Sequence, residues 1–412
     1  METHDVVVVG GGDAGNVLAA RLIERAELDV LLIEAGEKRP GNHFARGHRT
    51  GYQNWGENWS FYDLLPYFKR SENAYGRDLI LRGRGGPLTV SAPGEPTPFM
   101  AAVLDGVAEI GEHRASDPGG GWEEGFGAAD SVDGAYPVPA AKVVTNALVH
   151  RLRIANGRAV GVDYSVGSRL ASVSAGQVVV AAGAAESAQL LMLSGIGPAG
   201  QLRELGIEVV ADLPGVGANL QTHPIARLVH RTRERATGRV IGLVRSEPER
   251  AGPDLRLAFG PGVEVAVVQP HSRGRLRLAD AVPGTPPLVE PNFYGDERDA
   301  AAVVAGLRLA RRIAETHALS GWLGAEEVPG PAHGEERELS GYARRSVTSY
   351  RQWTGTLAIG SVVDSGLRLH GVDGVHVADA SVMPSIPSAD ITATVYAVAE
   401  RAVDLMLGDE AS

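Results

Sequence analysis

Two apolar rhythms divide this chain. Val6 to Val9 and Val30 to Ile33 are short continuous apolar runs, separated by a glycine-rich turn and a helix-like stretch from Asn16 to Ala26. Such runs, bounded by turn residues, predict buried strands. Val143 to Ile154 and Ala159 to Tyr164 flank Asn156-Gly157, a strong hairpin signal. Gln177 to Ala182 predicts another buried strand, leading through Gly183 into a helix from Glu186 to Leu193. Phe99–Gly111, Glu297–Glu315 and Thr392–Leu407 carry apolar residues at helical spacing. Between Ile225 and Pro291 the rhythm changes to alternation. Leu255–Phe259, Val263–Val268 and Arg275–Leu278 predict half-exposed antiparallel strands there. Asp117–Gly134, glycine-rich and acidic, reads as loop.

The glycines between the first two strands are Gly10, Gly11, Gly12 and Gly15. In a dinucleotide site Gly10 permits the tight turn, Gly12 lets the backbone approach a pyrophosphate, and Gly15 lets the helix pack against the sheet. The helix start supplies amide dipoles for phosphate. Glu34 follows Gly15 by 19 residues, close to the ~20 expected for a carboxylate on a ribose hydroxyl. The competing reading is a glycine turn in an ordinary α/β unit. The layout predicts an α/β fold: a Rossmann-like nucleotide-binding domain from residues 1–75, 140–225 and 360–412, and a discontinuous α+β domain on an antiparallel sheet from 76–139 and 226–359. A ligand pocket then lies at their interface.

Composition narrows the function. The 412 residues carry 44% hydrophobic residues, a net charge of −11 and no cysteine. The acidic balance, spread along the chain, argues against nucleic acid as a partner, because phosphate contacts need a basic face. Without cysteine there is no disulfide, thiolate metal site or cysteine nucleophile. No tight cluster of histidine and carboxylates has metal-ligand spacing. No apolar run approaches the ~20 residues of a membrane span, and the charged start lacks a signal-peptide pattern. The expectation is a cytoplasmic protein acting on a small molecule, with its oligomeric state open. Abundant Ala, Gly, Arg and Val hint at a bacterial source. The aromatic cluster Tyr52, Trp55, Trp59, Phe61, Tyr62, Tyr67 and Phe68 reads as core, with a ligand-facing role as the alternative.

Several stretches resemble the glucose–methanol–choline family of FAD-dependent oxidoreductases. They are the fingerprint ending at Glu34-Ala35-Gly36, Arg46-Gly47-His48, Leu65 to Glu72, and Gly183 to Gly197. Leu213 to Gly217, Asn219 to Pro224, Ser272-Arg273-Gly274, Leu367 to Pro384 and Glu400-Arg401-Ala402 continue the resemblance in order. It implies FAD, with Gly10, Gly12 and Gly15 along the pyrophosphate, Glu34 and Ala35 at the adenosine ribose, and Val149 at the adenine. Gly183, Asp379 and Ala380 would return to the ribityl–pyrophosphate region. Asp379 has a turn or cap role as its alternative.

Two departures stand out. The family's Gly-Gly-Ser-Ser-x-x-Asn flavin loop has no counterpart after Gly36, where only Glu37 to Ala45 precede Arg46 and Asn42 is at best its remnant. The family's two catalytic positions, ordinarily histidine and then histidine or asparagine, fall on Gln352 and Asp390; a slip of one or two residues selects Thr392 instead. Glutamine does not titrate and orients a substrate oxygen only through hydrogen bonds. Asp390 is a base when ionised, or a helix N-cap. The resemblance implies oxidation of a CH–OH donor by hydride transfer to flavin N5. It leaves open lyase or other non-oxidative chemistry, or an impaired member. His48 and His223 fall in family-like blocks near the flavin, while His370 and His376 read as surface or strand residues.

Overall fold

The structure, a computed structural model, describes residues 2–36, 45–92, 94–139 and 142–408. The expected flavin-loop remnant at residues 37–44 lies outside them.

Two large sheets organise the molecule. The first has the order Val143–Val144, Val30–Ile33, Thr3–Val9, Arg169–Val180, Arg158–Val166, Ala147–Ala155. Val6–Val9 run parallel to Val30–Ile33 on one side and to Gln177–Val180 on the other. All four residues of Val30–Ile33 are buried, which is why the run is continuously apolar rather than alternating. The Arg169–Val180 strand is much longer than the valine run at its end suggested. Residues 169–174 pair with the Asn156-Gly157 hairpin, and Val178–Val180 pair with Val375–Val377 from near the C-terminus. Sequence-distant segments therefore meet on one strand, at the sheet end where the glycine turn begins.

The helices Asp13–Ala26 and Phe61–Ser71 both pack on Thr392–Leu407. Arg21 bonds to Glu400 (2.9 Å), and Arg25 and Arg70 to Asp404. Ser60 opens Phe61–Ser71 with a reciprocal capping box to Asp63, a device whose loss costs roughly 0.5–2 kcal/mol. The aromatic cluster is core: Tyr52, Trp55, Trp59, Phe61, Tyr67 and Phe68 are buried, whereas Tyr62 is exposed.

The second sheet is antiparallel, ordered Leu323–Val328, Pro224–Thr232, Val263–Val267, Leu255–Phe259, Val240–Val244, Gly125–Ala128. The stretch read as loop from Asp117 to Gly134 thus supplies its edge strand and a second short strand, Ser131–Gly134. Its glycines hid them, since strand propensity counts β-branched and aromatic side chains. Arg275–Arg277 pairs only with Leu288–Glu290, in a separate ribbon. One face of the large sheet, with Leu255, Leu257, Phe259 and Val265, packs under the helices Pro98–Glu109 and Glu297–Ala314. The period of two sends Arg256 to the opposite face, where Ile225, Ala266, Val268 and Tyr350 cluster. That face turns towards the segment Pro384–Asp390.

Among the described residues no helix is long and apolar enough to cross a membrane.

Candidate active site

A cavity of about 730 Å³ opens where the first sheet ends, within the ~300–1,000 Å³ typical of ligand sites. Gly10, Gly12, Glu34, Ala35, Val149, Gly183, Asp379 and Ala380 line it, and so does Gln352. Gly15 does not border it. A Cβ there would overlap the Gly10 carbonyl oxygen, so this glycine serves helix packing. Gly10 has φ +103°, and a Cβ on it would meet the Ala181 oxygen at 2.5 Å.

Three helix starts converge on this cavity. Gly12, Gly183 and Ile391 are the N-cap positions of Asp13–Ala26, Ala184–Leu193 and Thr392–Leu407, and none makes a side-chain cap hydrogen bond. Their first-turn N–H groups and dipoles favour anionic ligand groups. At Gly12 a Cβ would find nothing within 4 Å, so the backbone there faces open space suited to a phosphate. Glu34 sits across the turn, accepting from Gly11 N at 2.5 Å and Gly36 N at 2.7 Å. These donors, this carboxylate and this volume fit a dinucleotide.

Both Asp379 oxygens are engaged by the protein. One accepts from Gly183 N (2.8 Å) and Ser187 Oγ (2.6 Å), the other from Ser381 N (2.8 Å) and Ser381 Oγ (2.5 Å). Asp379 therefore ties the start of Ala184–Leu193 to the C-terminal segment. Glu186, also on the wall, has its pKa raised, first by burial and further by Asp379.

At the other end of the cavity Arg351, Gln352, Trp353, Ile391 and Thr392 form the wall. Arg351 adopts a left-handed backbone at φ +55°, uncommon outside glycine. Thr392 borders the cavity; Asp390 stands behind, its Oδ1 accepting from Gln352 Nε2 at 3.2 Å. The N-cap position falls one residue on, at Ile391, whose backbone is already helical at φ −74° and ψ −16°. Arg256 donates to Asp390 Oδ2 at 3.5 Å and to Tyr350 OH at 3.0 Å, and Tyr350 donates to Glu264 at 2.7 Å.

The segment carrying Asp390 is held by several side chains. Asn219 and Gln221 donate to the Pro384 oxygen (both 3.1 Å), Trp55 Nε1 to Ser385 Oγ (2.8 Å), and His48 N to Ser388 Oγ (2.8 Å). His223 Nε2 donates to the Pro387 oxygen at 2.9 Å. Burial pushes the His223 pKa down to about 4, against the weaker opposing pull of that carbonyl and of Asp390. His223 is thus neutral near pH 7, with its Nε2 proton already bonded. Burial likewise lowers His48. Both histidines hold loops.

The same depression reaches His376, buried in Val375–Val377, with a pKa near 4 from burial and from Arg368. His370 is exposed. With folded values near 4 and an unfolded value of ~6.5, the unfolded chain binds more protons across that window. Stability from His223 and His376 is complete above pH ~6.5 and drains as pH falls towards 4. The melting temperature is expected to decline across this window. His376→Leu should flatten the slope.

Two family models match this chain, both described as GMC oxidoreductase: one over residues 41–225, the other over 270–399. The chain belongs to the GMC oxidoreductase family. It is an FAD-binding oxidoreductase, and the cavity is where its residues suit that cofactor. A lycopene cyclase model also matches residues 5–59, around the glycine turn. An oxygen-dependent choline dehydrogenase of Brucella anthropi is 29% identical over 98% of this chain and 95% of its own length. That match runs over 524 residues, 112 more than the 412 of this chain, so the relative carries segments with no counterpart here. The crystal structure of pyridoxine 4-oxidase from Mesorbium loti has a TM-score of 0.91 at 25% identity, covering 99% of this chain and 100% of the other. A fungal aryl-alcohol oxidase shares the fold at TM-score 0.87 and 20% identity, over 99% of each chain.

Sequence reasoning missed Arg256 among the surroundings of the site, and the uncapped start at Ile391; His223, read from its block as near the flavin, packs beside Asp390. Arg256 sits in a strand predicted half-exposed, so its charge read as solvent-facing; only its burial shows that it calls for a partner.

Proposed function

We propose that this oxidoreductase oxidises a CH–OH donor at the Gln352 end of the cavity, and that the two-part division of the chain at residues 1–75, 140–225 and 360–412 separates cofactor from substrate binding. FAD, held by Gly10, Gly12, Glu34, Val149, Gly183 and Ala380, supplies the hydride acceptor. The observation that carries the reading is Gln352. Its Oε1 is buried without a hydrogen-bond partner among the described residues, and Gln352 lines the cavity. A buried acceptor left unpaired is costly, and a substrate hydroxyl donating to it removes the cost while orienting the carbinol carbon. Gln352 cannot take the proton. His223 is committed to Pro387. Asp390, the carboxylate bonded to Gln352 Nε2, is assigned as the proton's acceptor, the proton passing beside the amide through one water rather than through it.

The test is anaerobic mixing of the FAD-loaded protein with an alcohol panel while flavin absorbance is followed. One class of alcohol is expected to bleach the flavin, and Asp390→Asn should slow that step by about 100-fold or more. Flavin that dithionite reduces but no alcohol does would overturn the reading. If Gln352→His with Asp390→His then created alcohol oxidation, non-oxidative chemistry would be favoured for the parent.

A further inference from the structure

The chain Gln352–Asp390–Arg256–Tyr350–Glu264 runs from the cavity through the second sheet. It is not a proton wire. Arg256 donates at both ends, to Asp390 and to Tyr350, and a guanidinium does not deprotonate in proteins. Arg256 is 8% exposed and lies on the sheet face opposite the main apolar core of that domain. Its effect on Asp390 must therefore be positional and electrostatic.

We propose that Arg256 is a positioning residue that holds Asp390 as a carboxylate and thereby turns the Gln352 side chain so that its carbonyl oxygen, not its amide nitrogen, faces the substrate. The inference rests on the reading of Gln352 and Asp390 as the reactive pair. An ionised carboxylate only accepts hydrogen bonds, so Gln352 must present Nε2 to it. The amide has two ends, and fixing one fixes the other. Oε1 is left as the buried atom without a partner. A protonated Asp390 would instead donate, Gln352 would rotate, and the cavity would exchange an acceptor for a donor. The site would then favour a carbonyl compound over an alcohol.

The surroundings assign this role to Arg256. Among the described residues, ionisable groups that interact with Asp390 include Arg256 from Leu255–Phe259, His223 at the entry to Pro224–Thr232, and Tyr350, with Glu264 behind it. His223 is neutral, and burial pushes Tyr350 up to about 12. Glu264 is itself paired with Arg227 at 3.0 Å and Arg239 at 3.5 Å, and Tyr350 and Arg256 stand between it and Asp390. Of these described groups, Arg256 is the cation, paired with Asp390 at 3.5 Å. Burial alone would lower its pKa, yet Asp390 and Tyr350 bring it above the ordinary arginine value. An opposite charge at this range favours the ionised carboxyl. The Gln352 contact adds a hydrogen bond but no charge.

The test uses the full-length FAD-loaded protein and needs no substrate. Infrared difference spectra are taken between each Arg256 variant and the same variant carrying Asp390→Asn, which isolates the Asp390 carboxyl. At pH 7 wild type and Arg256→Lys are expected to show carboxylate bands. Arg256→Met is expected to show instead the C=O stretch of one protonated carboxyl. An Asp390 that stays ionised in Arg256→Met overturns the proposal. If that variant does not fold, Arg256→Gln, which keeps hydrogen bonds but removes charge, is read the same way. With an alcohol that reduces the flavin, the charge-removing variant should raise KM about tenfold over Arg256→Lys, the equivalent of one hydrogen bond. Should Asp390→Asn leave alcohol oxidation intact while the infrared result holds, the reactive-pair reading falls and the role of Arg256 stands.

Discussion

Gly15→Ala is expected to yield protein without FAD and with a lowered melting temperature. The new Cβ would lie inside the Gly10 carbonyl oxygen, with Leu32 Cδ1 at 3.5 Å on the other side. The Gly10 peptide cannot yield. Its N–H is bonded to the Ile33 oxygen at 2.8 Å, and the Ala181–Ala182 backbone leaves no room beside it even for a Cβ, which would lie 2.5 Å from the Ala181 oxygen. The Asp13–Ala26 helix must move outward instead, taking with it the first-turn amides that face the cavity. Gly12→Ala separates the two effects. Its Cβ meets no protein atom within 4 Å and its φ of −74° suits alanine, so the fold should melt as wild type does. The methyl would occupy the approach to the phosphate, and FAD affinity should fall by about 100-fold, the equivalent of ~2.7 kcal/mol. Flavin absorbance after desalting and a thermal melt check both variants. Equal melting losses in the two would contradict this division of labour.

The glycine turn was legible because each of its residues answers a local demand: a positive φ, a close approach, or a helix start. The flanking strands and the final helix were legible for similar reasons, and Val30–Ile33 and Thr392–Leu407 fall where the apolar pattern put them. Where a signal depended on side-chain type, glycine-rich strands escaped it, as at Gly125–Ala128. The cap role weighed for Asp390 lies one residue before the N-cap position Ile391, a distance within which helix boundaries are only loosely set by sequence. Contacts between distant segments left no periodic trace. Nothing near Arg256 in the sequence names Asp390, 134 residues away; only the topology brings the Leu255–Phe259 strand beneath the Pro384–Asp390 segment. Gln352 as a residue came from the family resemblance, but its orientation and unpaired oxygen are properties of packing. Thr392, the alternative to Asp390, borders the cavity while Asp390 supports it from behind, a distinction no spacing argument contains.

Glu72→Ala should be among the most destabilising single substitutions in this protein, by about 3–5 kcal/mol. Glu72, Arg46 and Arg82 are all fully buried. One Glu72 oxygen accepts from Arg46 and from Gly83 N (2.7 Å), and the other from Arg82 at 3.0 Å. Arg82 keeps partners after the substitution, because it also binds Asp117 at 2.6 Å and Asp130 at 2.8 Å. Arg46 is worse placed. Burial lowers its pKa to about 10 even with Glu72 beside it, and what remains is the Leu81 oxygen, the Phe68 ring at 5.0 Å and the weaker longer-range pull of Asp117. An unpaired buried guanidinium costs far more than the lost ion pair contributed. Glu72→Gln keeps the shape and one acceptor but not the charge, so its loss should be intermediate. Since the network is buried, added salt should not soften the effect. The exposed pair Arg275–Glu290 is the control, and Glu290→Ala should leave the melting temperature unchanged. The damage should reach the flavin end too. Arg46 N is bonded to the Gly119 oxygen, and two residues on, His48 N holds Ser388 beside Asp390. A loosened Arg46 frees the segment that positions the proposed base. Alcohol-driven flavin reduction in Glu72→Gln should then slow at temperatures well below its melting point, whereas a purely global loss of stability would leave that rate untouched until the protein unfolds.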